Sequence, residues 1–292
     1  MNTARALAHT PVAPDLVEGE FPFTARDFAE IAALAREVAG IALAEGKAAL
    51  VYSRLSKRLR AHGLQDFSRY CELLRGSEGE AEHPHFITAL TTNVTAFFRE
   101  AHHFDNLAAL LEDLAPAVRA GRRLRLWSAG CSSGQEPYSM ALTVLSVIPE
   151  AQARDVRILA TDIDPRIVAQ AQAATYAEAA VQPIPPELRR RWMKPTAEGD
   201  WTVGPEARGL VAVKPLNLMA EWPMRGRFDA IFCRNVAIYF DAPDQTRLWS
   251  RFSERLNPGG RLYIGHSERV NDPSSPLTPA GLTTYRAPGS LS

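Results

Sequence analysis

Leu124-Arg125-Leu126-Trp127-Ser128-Ala129-Gly130-Cys131-Ser132-Ser133-Gly134-Gln135-Glu136-Pro137-Tyr138-Ser139-Met140 is the stretch on which the fold turns. Its first four residues read as a short strand, the next seven as a turn of small residues, and a helical pattern follows from Glu136 to Ile148. A strand that passes through a glycine turn into a helix opens a βαβ unit. The same alternation continues downstream. Val156–Thr161 is a strand, and Asp164-Pro165 supplies a helix N-cap and first helical position. Phe228–Cys233 is an apolar strand. Pro243–Leu256 is a helix closed by Asn257-Pro258-Gly259-Gly260, and Arg261–Gly265 is a strand again. This predicts an α/β domain with a parallel, doubly wound sheet over residues 124–292. Between Tyr176 and Lys214 the alternation breaks. Pro183, Pro185, Pro186, the run Arg189-Arg190-Arg191 and short apolar pieces ending in Leu210–Val213 predict a small β insert at about 177–214.

Toward the N-terminus the pattern is helical. Thr24 with Asp27 makes a capping box, Ile31, Leu34, Ala35 and Val38 recur at helical spacing, and Gly40 is a stop. A second helix is expected from Lys47 to Ala61, with later ones including Phe86–Leu90 and Phe104–Leu114. Residues 21–114 therefore read as a helical domain, 115–123 as a linker rich in Pro, Ala, Gly and Arg, and 1–20 as a disordered leader.

The 292 residues balance 33 basic against 33 acidic side chains, so no global field draws the chain to nucleic acid or membrane. Cys71, Cys131 and Cys233 are far apart and odd in number, which suits a reducing compartment better than a disulfide framework. No apolar run of about 18 residues and no signal-peptide core is present, so a cytoplasmic protein without membrane insertion is expected.

The glycine turn carries the first chemistry. Small residues at Ala129, Gly130 and Gly134 let a ligand approach the backbone, and ligands of doubly wound sheets bind beyond the carboxyl ends of the strands. The next strand ends at Asp162, where a carboxylate accepts hydrogen bonds from ribose hydroxyls; Asp164 already serves as the cap. The turn is not G-x-G-x-x-G, which disfavours a pyrophosphate on the helix N-terminus. S-adenosylmethionine has no phosphate and tolerates the looser turn. Glu136 has two readings: the far end of a capping box with Ser133, or a partner for the cofactor's ammonium group. The adjacent His102 and His103 point about 100° apart on a helix, and no Cys or Asp cluster completes a metal site with them or with His83 and His85, so no metal is expected. On the second helix, Arg54 and Arg58 are one turn apart with Lys57 beside them, while Leu55 and Leu59 form the buried stripe. The basic face is either solvated or a dock for an acidic helix.

Thr91-Thr92-Asn93-Val94-Thr95-Ala96-Phe97-Phe98-Arg99-Glu100 with His102-His103-Phe104 resembles the signature of the chemotaxis receptor (protein-glutamate) O-methyltransferases of CheR type. Glu136-Pro137-Tyr138-Ser139, Ala160–Asp164, Phe228 through Phe240 and Gly265-His266-Ser267-Glu268 resemble it as well, in order, across about residues 24 to 287. Ala237, Cys131 and Gln135 depart from the residues common in that family. The resemblance implies a helical N-terminal domain, a Rossmann-like methyltransferase domain and an antiparallel β insert. It implies S-adenosylmethionine binding by Asn93, Thr95, Arg99, Glu136, Asp162, Asn217, Leu218, Asn235 and Val236, beside Gly130 from the turn. It brings Arg99 and Tyr239 near the reacting methyl as catalytic residues. By pattern alone Arg99 reads as a surface partner of Glu100 or of a neighbour, and Tyr239 as an aromatic rim residue. The implied substrate is the cytoplasmic helical domain of membrane chemoreceptors, docked through Arg54, Lys57 and Arg58 on a monomeric enzyme. A methyltransferase for another protein or a small molecule, and a non-catalytic S-adenosylmethionine sensor, are the rival readings.

Overall fold

A computed structural model describes residues 15–290, and the chain divides after Leu90 into two compact units. The first holds helices α1 (Ala25–Ala39), α2 (Ala48–His62), α3 (Phe67–Arg75) and α4 (Gly79–Leu90). The capping box at Thr24 and Asp27 closes both ways, and Gly40 ends α1 in the left-handed conformation, φ 74°. Phe28, Ile31, Val51, Leu55, Leu59, Phe67 and Phe86 are buried in this unit. Residues 1–14 of the expected leader lie outside the described residues. Residues 15–20 differ from that expectation. Asp15 bridges to Thr24 and its carboxylate accepts from the Phe23 amide at 3.0 Å, because the buried Phe21 and Phe23 anchor this segment.

A buried carboxylate ties three helices together. Glu82 on α4 accepts from Arg58 Nε and Nη2 on α2 at 2.7 and 2.6 Å, from Tyr70 O–H on α3 at 2.9 Å, and pairs with His62 Nε2 at 2.9 Å. Burial alone would raise this carboxyl; the bonds from Arg58, His62 and Tyr70 outweigh burial and hold it at about 2. Arg54 donates to the carbonyls of Leu90 at 2.8 Å and Ala89 at 3.4 Å, satisfying the last turn of α4.

The second unit begins at Thr91. Its first helix, α5 (His102–Arg119), is longer than expected and belongs here and not with the N-terminal helices. The reason is apolar: Leu107, Leu110, Leu111, Leu114 and Val118 pack in one core with Leu126, Ala141 and Leu145. The stripe runs on through Ala115 and Val118, so the residues read as a linker are still helix to Arg119 despite Pro116.

The strands are β1 (Leu124–Ala129), β2 (Val156–Asp162), β3 (Thr175–Tyr176), β4 (Met193–Pro195), β5 (Trp201–Val203), β6 (Val211–Pro215), β7 (Phe228–Cys233), β8 (Leu256–Ile264), β9 (Thr278–Gly281) and β10 (Thr284–Arg286). Between them lie α6 (Gln135–Val147), α7 (Pro165–Ala173), α8 (Glu178–Val181), α9 (Pro186–Trp192), α10 (Pro205–Arg208) and α11 (Ala242–Arg255). The main sheet has the order β6-β2-β1-β7-β8-β10-β9, parallel from β6 to β8 and antiparallel beyond. α5 and α6 cover one face; α11, with Trp222 and Trp249, covers the other through Trp127 and Ile231. The insert is the antiparallel sheet β3-β5-β4. Val211–Val213, expected in the insert, instead continue the main sheet as β6, parallel to β2 with Ala160 opposite Val213. Val213 is buried there beside Ala160, Val168 and Ala171, a site for an apolar strand that the insert does not offer. No helix among the described residues is long and apolar enough to cross a membrane.

Replacing Glu82 with Gln should destabilise the first unit by roughly 2 kcal/mol at pH 7, the scale of charge-assisted hydrogen bonds. Because the native carboxyl titrates below the unfolded one, that stability is present above about pH 4.5 and is lost as pH falls toward 2. Urea unfolding of both proteins should therefore show a gap that narrows with acid; a gap that widens would contradict the assignment.

Candidate active site

The order of the sheet reverses between β1 and β7, and ligands of such sheets sit beyond the carboxyl ends at that reversal. After β1 the chain turns through Gly130, φ 89°, where an added Cβ would lie 2.3 Å from Val236 Cγ2. The loop after β1 thus meets the loop after β7 closely at a glycine. Gly134, φ 98°, ends the turn and starts α6 without any side-chain cap.

Around this point the strand ends bring polar groups together. Asp162 at the end of β2 accepts from the amides of Ser132 at 2.8 Å and Asp164 at 3.1 Å. Burial pushes its carboxyl up, against those amides. Asp164 caps α7 separately through the Arg166 amide. Beyond β6, Leu216 N–H bonds the Asp162 carbonyl and delivers Asn217 and Leu218 to the same edge. Leu218 is buried, and its carbonyl accepts from Trp222 Nε1 and Arg251 Nη1. Beyond β7 stand Asn235, φ 60°, and Val236, followed by a 3-10 turn at Ala237–Tyr239. Asn235 Oδ1 is buried and has no hydrogen-bond partner.

Glu136 is not half of a capping box. Ser133 Oγ goes to Gln135, while Glu136 is buried and accepts from Ser128 Oγ at 2.7 Å and from Arg234 Nε at 2.7 Å. Arg234 also donates to the Arg99 carbonyl, lies 3.6 Å from Glu100 and stands over the Phe104 and Phe232 rings. Arg234 was not singled out from the sequence; the signal was a lone arginine directly after six buried strand residues.

A segment from Thr91 to Arg99 runs along the same edge. Asn93 accepts from Ser132 Oγ at 3.3 Å, and Phe98 N–H bonds Ser139 Oγ at 3.0 Å. Thr95 is half-buried in it. Tyr239 O–H accepts from the Thr92 amide at 3.0 Å and donates to the Thr92 carbonyl at 3.3 Å. Arg99 does not pair with Glu100: its Nη1 donates to Val94 O at 3.0 Å, and Glu100 instead meets His266 Nδ1 at 3.1 Å. Burial works to raise the Glu100 carboxyl, but His266 and Arg234 bring it below the usual range. Asn93, Thr95, Arg99, Gly130, Glu136, Asp162, Asn217, Leu218, Asn235, Val236 and Tyr239 all lie in the second unit at the carboxyl ends of its strands or in the segment before α5. Arg54, Lys57 and Arg58 belong to the first unit, where Arg54 and Arg58 have the internal partners described above and Lys57 is exposed.

The donor set suits S-adenosylmethionine. Asp162 and Glu136 are acceptors for hydroxyl and ammonium groups, the orphaned Asn235 Oδ1 awaits a donor, and the turn after β1 holds no lysine or arginine for a phosphate.

Comparison with known proteins agrees. Residues 93–286 match the family described as CheR methyltransferase, SAM binding domain, and residues 26–91 match CheR methyltransferase, all-alpha domain. The chain is 49% identical over 253 residues to a probable chemotaxis protein methyltransferase of Rhizobium etli, covering 85% of this chain and 94% of that protein. It is 42% identical to chemotaxis protein methyltransferase 2 of Pseudomonas aeruginosa, covering 91% and 94%. It is 41% identical to the chemotaxis protein methyltransferase of Escherichia coli, covering 88% and 89%.

His103 gives this edge a pH dependence. The ring is fully buried, accepts at Nδ1 from Arg234 Nη1 at 3.2 Å, and so carries its proton on Nε2, 2.8 Å from Thr283 Oγ1. Burial first, then Arg234 and His102, push it down to about 4. The unfolded ring takes up a proton near pH 6.5 and the native one does not, so stability is full above 6.5 and falls by about 3 kcal/mol toward pH 4. Urea unfolding across that range checks it; a flat profile from pH 7 to 5 would contradict it.

Proposed function

This chain belongs to the CheR methyltransferase family, and from that premise we propose that it transfers a methyl group from S-adenosylmethionine to glutamate side chains of chemoreceptors, giving methyl esters. The observation that carries the reading is the convergence of Asp162, Glu136 and the unpartnered Asn235 Oδ1 on the turn at Gly130, with Arg99 and Tyr239 on the same side of the sheet. Asp162 would hold the ribose hydroxyls. Glu136 would meet the ammonium group with the lone pairs that Ser128 and Arg234 leave. Asn93, Thr95, Arg99, Asn217, Leu218, Asn235 and Val236 would complete the enclosure. Bound S-adenosylmethionine supplies a methyl group made electrophilic by its sulfonium sulfur.

A glutamate side chain is ionised at neutral pH, with a usual pKa of about 4.3, so the protein has no proton to remove. Its work is to aim the carboxylate and exclude water, where positioning is worth roughly 7–11 kcal/mol. The Arg99 bond to Val94 uses one N–H of a guanidinium that has five. Tyr239 gives its proton to Thr92 O only at 3.3 Å, a long bond that a carboxylate would displace at little cost. We place this action in the cytoplasm, on a monomer, with the receptor's helical domain as partner. Transfer of labelled methyl to a receptor cytoplasmic fragment, with the label released by mild base, tests the proposal; label that resists base would overturn the ester.

Three variants test the parts. Asp162→Ala should weaken binding of S-adenosylhomocysteine by on the order of 1.5–3 kcal/mol in calorimetry, the worth of hydrogen bonds to a charged group. An unchanged affinity removes Asp162 from the cofactor. Tyr239→Phe should lower kcat more than it lowers that affinity; an equal fall in both makes Tyr239 a binding residue.

Arg54, Lys57 and Arg58 remain the proposed dock for an acidic receptor helix. Reversing Arg58 would set two carboxylates together at Glu82, so Lys57, which is exposed, is the position to change. Methylation by the wild type should slow as salt rises, since rim charges act on encounter and are screened. Lys57→Glu should be slower at low salt and less sensitive to it. A wild-type rate for that variant at low salt ends the docking role of Lys57 without touching the methyltransferase reading.

A further inference from the structure

Glu268 is a buried carboxylate, 4% exposed, with no ion-pair partner among the described residues. Four backbone amides surround it. Oε2 accepts from Gly265 at 2.5 Å and Asn235 at 3.0 Å; Oε1 accepts from Val236 at 3.0 Å and Ile238 at 3.3 Å. Two of these amides, Asn235 and Val236, belong to residues proposed to hold the cofactor, and a third, Ile238, lies within the turn that ends at Tyr239.

The need for such a group follows from the sheet. β7 and β8 run parallel, with Cys233 opposite Ile264, and both end there. The chain leaving β7 cannot continue the ladder, so its amides need other acceptors or lie buried and unpaired. It must also hold Asn235 at φ 60°, a conformation that asparagine tolerates but that has to be enforced by its surroundings. A single carboxylate with lone pairs for all four donors does both. Gly265 makes room for it: an added Cβ would lie 2.7 Å from Asn235 Nδ2, 2.8 Å from Asn235 N and 2.9 Å from Glu268 Oε2. Gly265 does not have a positive φ, so alanine there suffers crowding alone. Within the turn, Tyr239 N–H returns to the Val236 carbonyl, which fixes the tyrosine to the clamped residues.

We infer that Glu268 is a positioning residue for methyl transfer, whose carboxylate sets the Asn235–Tyr239 loop so that one clamp governs both cofactor affinity and the aim of the Tyr239 hydroxyl. The inference rests on the proposed roles of Asn235, Val236 and Tyr239. Its prediction is a joint loss. Glu268→Gln turns one acceptor into a donor facing amide donors. It should weaken S-adenosylhomocysteine about tenfold and lower kcat on a receptor fragment by tenfold or more, since misplacement of about 1 Å costs on the order of a hundredfold. Gly265→Ala should do the same more mildly, with Glu268 intact. A purely structural role would cost stability alone, so Phe252→Leu, on the buried face of α11, serves as a variant of comparable stability loss that should keep the affinity.

The outcomes separate. A folded Glu268→Gln, or Gly265→Ala, with wild-type affinity and kcat overturns the inference. So does a loss no greater than that of Phe252→Leu. Hydrogen exchange of the wild type gives a readout that no variant's folding affects: the amides of Asn235, Val236 and Ile238 should be strongly protected, and rapid exchange overturns the clamp. Asn235→Ala distinguishes the levels. If it leaves the affinity unchanged, the cofactor reading of this loop fails; if it weakens binding while both clamp variants do not, only the role of Glu268 fails.

Discussion

The ion pair between Arg234 and Glu136 is the interaction around which the candidate site is arranged. It joins the end of β7 to the first turn of α6, across the point where the strand order reverses. Taking a guanidinium and a carboxylate out of water costs several kcal/mol for each ion, and only good geometry with further hydrogen bonds returns it. Both conditions hold here. Glu136 takes a second bond from Ser128, and Arg234 gives another to the Arg99 carbonyl while Phe104 and Phe232 flank its plane. Removing one partner would leave a buried charge uncompensated, a loss of about 3–5 kcal/mol. The pair therefore fixes where the segment before α5 can lie, and with it Arg99.

The same edge shows how a parallel sheet builds a binding site from its own unfinished hydrogen bonding. Each strand that ends there releases amides with no ladder partner. Asp162 collects those of Ser132 and Asp164, and Glu268 collects those of Gly265, Asn235, Val236 and Ile238. Both carboxylates shape the loops, and Asp162, which accepts from two amides, keeps acceptor capacity for a further donor. Not every buried acceptor here is satisfied: Glu100 Oε2 has no hydrogen bond, and neither has Asn235 Oδ1. That group makes the site look prepared for a ligand rather than merely closed over.

Local features were legible in the sequence. The capping box at Thr24, the stop at Gly40 and the Asp164-Pro165 start of α7 depend on neighbours a few residues apart, and the structure has all of them. The strand–turn–helix at Leu124–Met140 announced the doubly wound sheet, and the family motifs named the residues that gather at its edge. Non-local pairings were not legible. Val211–Val213 is a short apolar run whichever sheet it joins, and only β2 decides that it extends the main one. α5 looks like any amphipathic helix until its leucines meet α6, which moves it out of the N-terminal unit. Arg58 reads as a surface cation because Glu82, its partner, is 24 residues away in sequence. Glu136 satisfied a capping pattern by spacing, yet its partner is Arg234, 98 residues on. Arg234 and Glu268 act through tertiary contacts that periodicity does not encode.

We propose that S-adenosylmethionine lies between the ends of β1 and β7, with Arg99 and Tyr239 at the methyl. A crystal structure of the full chain with S-adenosylhomocysteine tests it most directly. The nucleoside should lie over Gly130, with ribose hydroxyls on Asp162, a donor on Asn235 Oδ1, and the sulfur facing the side of Tyr239. Ligand density anywhere else, or ribose turned away from Asp162, would contradict it.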